Sequence, residues 1–154
     1  MDYLLDSNII LIYCRNDKVA RALESRYRIF SGDNRLGISI VSKGEIEASI
    51  LKAGLGEKRK QRIKELMSRL TEFGINFEEV IKKYAQIDAY SQGKSEKSKG
   101  KFSSRNMGKN DIWIAATASV FDLKLVTTDK DFDHLEKEYI DLLYISLEEL
   151  TSHK

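Results

Sequence analysis

Four acids stand where the chain is otherwise building apolar core. They are Asp6 in LLDSNIILIY, Glu45 in ISIVSKGEIEAS, Asp111 in KNDIWIAATA and Asp129 in LKLVTTDKDF. A carboxylate beside a core is costly unless something pairs with it. Gathered in one place of low dielectric, four of them repel one another strongly. An all-oxygen set of this kind suits a hard divalent cation, magnesium or manganese, which cancels the repulsion. No histidine or cysteine cluster offers a softer alternative, because the chain has only Cys14, His134 and His153.

Each acid also has a local reading. Asp6 or Ser7 can cap the helix that follows. Ser42-Lys-Gly-Glu45 fits a capping box, in which the glutamate reaches back to the cap amide. Asn110 can cap a helix whose first turn favours Asp111. Thr128 can cap, with Asp131 three residues on.

The elements around these acids decide whether they meet. Tyr3–Leu5 reads as a short strand and Ile9–Tyr13 as a brief helix. Lys18–Phe30 is a helix, Leu36–Val41 a β-branched strand and Ser42–Leu51 a helix. Glu57–Phe73 reads as a charged amphipathic helix, with Ile63, Leu66, Leu70 and Phe73 at helical spacing. Ile75–Phe77 is a candidate strand and Glu78–Ser91 a helix. Gln92–Met107, rich in Ser, Gly and Lys, is a loop. Asn110–Phe121 is an Ala-rich apolar helix, followed by strands at Leu123–Val126 and Leu142–Ile145. Alternating strands and helices imply a parallel sheet with helices on both faces. In such sheets ligands gather beyond the carboxyl ends of the strands. Asp6, Glu45 and Asp129 follow strands and Asp111 opens a helix, so one rim can collect all four.

Composition bounds the rest. The length of 154 residues suits a single domain spanning 1–154, with a core large enough to need no disulfide. One cysteine, Cys14, fits a reducing, cytoplasmic setting. The N-terminal apolar run is broken at Asp6–Asn8 and lacks the basic flank of a signal peptide. No apolar run approaches the roughly 20 residues of a membrane span. The formal charge is only +2, but it is unevenly spread. Lysines and arginines crowd Lys52–Arg69 and Gly93–Lys109, whereas Asp129–Glu149 is mostly acidic. That asymmetry is compatible with a polyanionic partner on one face, or with a solvated helix face and a flexible loop.

At the four acidic segments, in order and spacing, the chain resembles the PIN-domain ribonucleases, and among them the VapC-type toxins of toxin–antitoxin pairs. The resemblance implies a three-layer α/β/α sandwich around a parallel sheet of about five strands. It implies that Asp6, Glu45, Asp111 and Asp129 are the catalytic, metal-binding quartet, with Asp131 a further carboxylate ranked below Asp129. Ser7, Asn8 and Thr127 fall where the family places small polar supports. The implied activity is magnesium- or manganese-dependent hydrolysis of RNA phosphodiesters. The implied partners are RNA, a cognate antitoxin and a second copy in a homodimer. The resemblance does not cover residues 93–109. From position and charge, Lys97, Lys99, Lys101, Arg105 and Lys109 are candidates for holding RNA phosphates, and Phe102 offers a surface for a base. Trp113 and Cys14 read as packing residues.

Two rival readings change the function, the first as another acid-site α/β protein and the second within the same fold. An aspartyl phosphatase or phosphoacceptor would use Asp6 as its nucleophile. Such phosphatases usually carry a second Asp two residues on, where this chain has Asn8. A non-catalytic RNA-binding module is the other rival, and retention of all four acids counts against it.

Overall fold

Strand β1 (Asp2–Leu5) lies at the centre of the sheet because its side chains serve both faces. Leu4 joins one apolar cluster and Leu5 the opposite one, both with no exposed surface. The computed structural model describes residues 1–152 and places five parallel strands in the order β3-β2-β1-β4-β5. The others are β2 (Arg35–Ser39), β3 (Thr71–Phe73), β4 (Lys124–Thr127) and β5 (Asp141–Tyr144). In register, Leu4 faces Gly37 of β2, and Leu5 faces Val126 of β4. The chain builds outward from β1 to β3, then returns to the other side of β1 with β4. The strand order therefore reverses between β1 and β4, where open parallel sheets form a crevice.

Two helical layers cover the sheet. On one face lie α1 (Ser7–Arg15), α2 (Lys18–Tyr27) and α4 (Glu57–Met67), which bury Ile9, Leu23 and Ile63 among others. The short C-terminal α7 (Leu147–Thr151) packs with them through Leu150. On the other face lie α5 (Glu78–Ser91) and α6 (Lys109–Val120), with Val80, Ile87, Ile112 and Ile114 inside. Ala115, Ala116 and Ala118 are buried, so α6 can approach the sheet closely. Helix α3 (Ile40–Ala53) leaves β2 at the rim and buries Ile46. Among the described residues no helix is long and apolar enough to cross a membrane.

Caps fix where the helices begin. Asp6 caps α1 and Asp17 caps α2, each accepting from backbone N–H groups. Ser39, rather than Ser42, caps α3 by accepting from the Val41 N–H at 3.2 Å. The expected box at Ser42 is therefore absent, and Glu45 stands in the second turn. The strand expected to reach Val41 ends at Ser39, and the β-branched Ile40 and Val41 open the helix instead.

The edge of the sheet also differs from the sequence reading. The helix expected to run to Phe73 ends at Met67. The edge strand is Thr71–Phe73 rather than Ile75–Phe77. Gly37 explains the fit of that edge. A Cβ there would stand 2.5 Å from the Phe73 ring, so the ring occupies the space a side chain would need.

Candidate functional site

All four acids reach the carboxyl-terminal rim. Asp6 follows β1 at the strand-order reversal and is only 5% exposed. Its Oδ1 accepts from the Ser7 N–H at 2.8 Å, and its Oδ2 accepts from the Thr127 hydroxyl at 2.7 Å. Thr127 is itself fully buried at the end of β4. Its Oγ1 also accepts from the Asp129 N–H at 3.0 Å. One hydroxyl thus ties two of the acids together. Asp129 in turn caps the 3-10 helix Lys130–Leu135 by accepting from the Asp131 N–H at 2.8 Å.

Glu45 comes in from α3. The Ser7 hydroxyl donates to its Oε1 at 3.3 Å, and the Asn110 amide lies 3.5 Å from its Oε2. Asp111 sits in the first turn of α6, whose cap position is Gly108 rather than Asn110. Gly108 leaves room for this carboxylate, since a Cβ there would press to 3.2 Å of Asp111 Oδ2. Asp111, Asp129 and Asp131 each offer an oxygen within 4.8 Å of the others. Opposite ligand atoms of a magnesium octahedron are about 4 Å apart, so that spread is close to what one ion requires.

Electrostatics bear out the crowding. Burial pushes the Asp111 carboxyl up to about 7, and the charges of Asp6, Asp129, Glu45 and Asp131 add to the effect. Burial also raises Asp6, against the hydrogen bonds from Thr127 and Ser7, and the charges of Glu45 and Asp129 raise it further. Oxygen donors alone, mutually repelling and partly buried, match the preference of a hard divalent cation. Asn8 adds a related signal, because its Oδ1 is buried without a hydrogen-bond partner.

The basic candidates lie otherwise. Lys97 and Lys101 pair with Glu138 at 3.4 and 3.5 Å, and Lys99 pairs with Glu96 at 2.7 Å. Arg105 lies against His134 Nδ1 at 3.4 Å, and its N–H donates to the Ser91 carbonyl at 2.7 Å. The segment expected to be a loop is thus tethered, and it contains the 3-10 helix Glu96–Ser98. Phe102 packs against Tyr90 with ring centres 5.0 Å apart. Lys109 opens α6, two residues before Asp111. Trp113 stacks on Tyr84 at 4.2 Å, as a packing residue does. Sequence reasoning did not anticipate the roles of Asn110 and Gly108. The glycine before the helix was the available signal for the second.

The sequence profile of the PIN domain matches residues 3–138, and the chain belongs to that family. Its fold is that of toxin–antitoxin components. VapBC2 from Rickettsia felis, solved with a DNA fragment from its promoter, aligns over 95% of this chain and 100% of that one. The TM-score is 0.70 at 17% identity. VapBC-1 from nontypeable Haemophilus influenzae aligns over 94% and 98%, with TM-score 0.68 and 22% identity. FitAB bound to a DNA fragment gives TM-score 0.62 at 24% identity, over 94% of each chain. The comparison with curated proteins gives no significant match.

Proposed function

We propose that the chain is a metal-dependent ribonuclease of the VapC type, silenced by an antitoxin. The observation that carries this reading is the rim itself. Carboxylates from β1, α3, α6 and the end of β4 converge where a parallel sheet reverses its strand order. Asp6, Glu45, Asp111 and Asp129 would hold magnesium or manganese, and Asp131 stands beside them to join the set. A bound ion of this kind supplies a lowered water pKa and charge stabilisation at phosphorus. Thr127 and Ser7 fix the Asp6 carboxylate. Ser7 and Asn110 fix Glu45. These supports hold the oxygens in place before substrate arrives.

The same geometry disfavours Asp6 as a covalent phosphoacceptor. It is nearly buried, and both its oxygens accept hydrogen bonds. Lys109 is the basic candidate nearest the acids in sequence, and we assign it a substrate phosphate. Lys97, Lys99, Lys101 and Arg105 form a second bank for RNA. The exposed ion pairs of the three lysines cost little to open, because such pairs are worth about 0–1 kcal/mol. The likeness to VapBC toxin–antitoxin structures supports an antitoxin partner, and the homodimer is part of the same proposal.

The test is cleavage of total RNA by purified chain with manganese, with chelator, and with Asp6→Asn. Cutting should need the metal and should fall at least about a hundredfold in the variant. Undiminished cleavage in excess chelator would refute the proposal.

A further inference from the structure

Beside the rim, a cavity of about 580 Å³ runs down the outer face of α3. It lies within the range of about 300–1,000 Å³ in which small-ligand sites fall. Glu45 and Asn110 line it partway along, so it adjoins one of the four rim carboxylates. Its floor is Gly44 and Ala48, which present almost no side chain. Ile40, 41% exposed, lies at one end, five residues before Glu45, and Lys52 closes the other. Glu45 and Lys52 are seven residues apart, two helical turns on one face, or about 10 Å along the axis. Lys52 makes no ion pair among the described residues.

Resting on the ribonuclease reading, we propose that this groove seats the RNA nucleotide that flanks the scissile phosphate. A phosphodiester held at the carboxylates must continue somewhere, and the groove leads away from one of them, Glu45. Its bare floor admits a ribose and base. The Asn110 amide can meet polar groups of the ribose or base. The Lys52 ammonium receives the next phosphate. A polarity that runs from acid to base along one channel matches a polyanion anchored at a cation-loaded centre. It does not match a uniformly apolar peptide.

Gly44→Leu fills the floor. A Cβ at Gly44 meets nothing within 4 Å, and leucine favours a helix more than glycine does, so this variant should fold, which its circular dichroism and urea midpoint check. Cleavage of an RNA oligonucleotide should fall about tenfold more than hydrolysis of bis(p-nitrophenyl) phosphate, which has no flanking nucleotide. In chelator, anisotropy titrations of the oligonucleotide against salt should lose about 0.7 from the log–log slope in Lys52→Gln. If Gly44→Leu cuts RNA as the unaltered chain does, the groove is not a subsite and the ribonuclease reading survives. If both substrates suffer equally, or the oligomeric state changes, the face serves packing or a second copy, and the proposal is overturned. If the unaltered chain cuts neither substrate, the ribonuclease reading fails. The salt titration still decides the groove, since an unchanged slope in Lys52→Gln overturns it.

Discussion

Asp111→Asn in metal-free protein removes a charge that the rim tolerates poorly. Burial, then the neighbouring acids, hold this carboxyl at about 7, against 3.8 for the ordinary group. The folded chain therefore keeps the proton more tightly than the unfolded chain. The associated stability is fully present below pH 3.8 and is lost as pH rises through about 7. The full separation converts to about 4 kcal/mol. Asp111 is only half-buried, so solvent screening reduces this to about 2 kcal/mol. His134 tilts stability the other way. Burial first, then the Arg105 charge, lowers its imidazole to about 4, so its contribution is lost as pH falls from 6.5 through 4. The raw pH profile mixes the two slopes, and the difference between variant and unaltered chain separates them. Below pH 3.8, where Asp111 is protonated both folded and unfolded, the two proteins should unfold at nearly the same urea concentration. At pH 8 the variant should be about 2 kcal/mol more stable, or about 4–8 °C higher in Tm. Chelator must be present throughout. A difference that does not change with pH, or a variant less stable at pH 8, would refute the view that these acids crowd one another.

Manganese should reverse the same penalty. At a hundred times its Kd it should add about 2.7 kcal/mol to the unaltered chain, and little to the double variant Asp111→Asn, Asp129→Asn, by thermal unfolding. Thr127→Val keeps the shape and removes the hydroxyl shared by Asp6 and Asp129. It should cost about 1–3 kcal/mol in urea unfolding, whereas Thr127→Ser should recover most of the loss. Gly108→Ala pushes on Asp111 Oδ2 and should weaken manganese binding about tenfold by calorimetric titration, with the fold unchanged by circular dichroism.

The positions of the acids were legible because two patterns agree. Tyr3–Leu5 and Leu123–Val126 are short apolar strands, and each is followed within a few residues by an acid. Strands that alternate with helices run parallel, which sends those acids to one end. Finer features escaped because context overrode local preference. Ile40 and Val41 favour a strand, yet Ser39 caps a helix over them. Thr71–Phe73 continues the helical spacing of α4. It forms a strand only because β2 offers an unpaired edge and Gly37 makes room for Phe73. The loop 92–107 has a disordered composition. It is fastened by Ser91 and His134, whose hydroxyl and Nε2 lie 2.7 Å apart, a contact across 43 residues that no local pattern reports. Asp131 joins the acids through a 3-10 turn capped by Asp129, and short turns of that kind leave little periodicity to read.

The place of β4 beside β1 has a consequence for biosynthesis. The hydrogen bond between Thr127 and Asp6 spans 121 residues of chain. At about 5–20 residues per second, a ribosome finishes the first acid many seconds before the last. Throughout that interval β1 lacks a neighbour on one side, and Asp6 lacks the hydroxyl that orients it. A nascent or prematurely terminated polypeptide ending before Lys124 has no assembled centre. The rim thus assembles in one late step, only after β4 and the acids that follow it have left the ribosome.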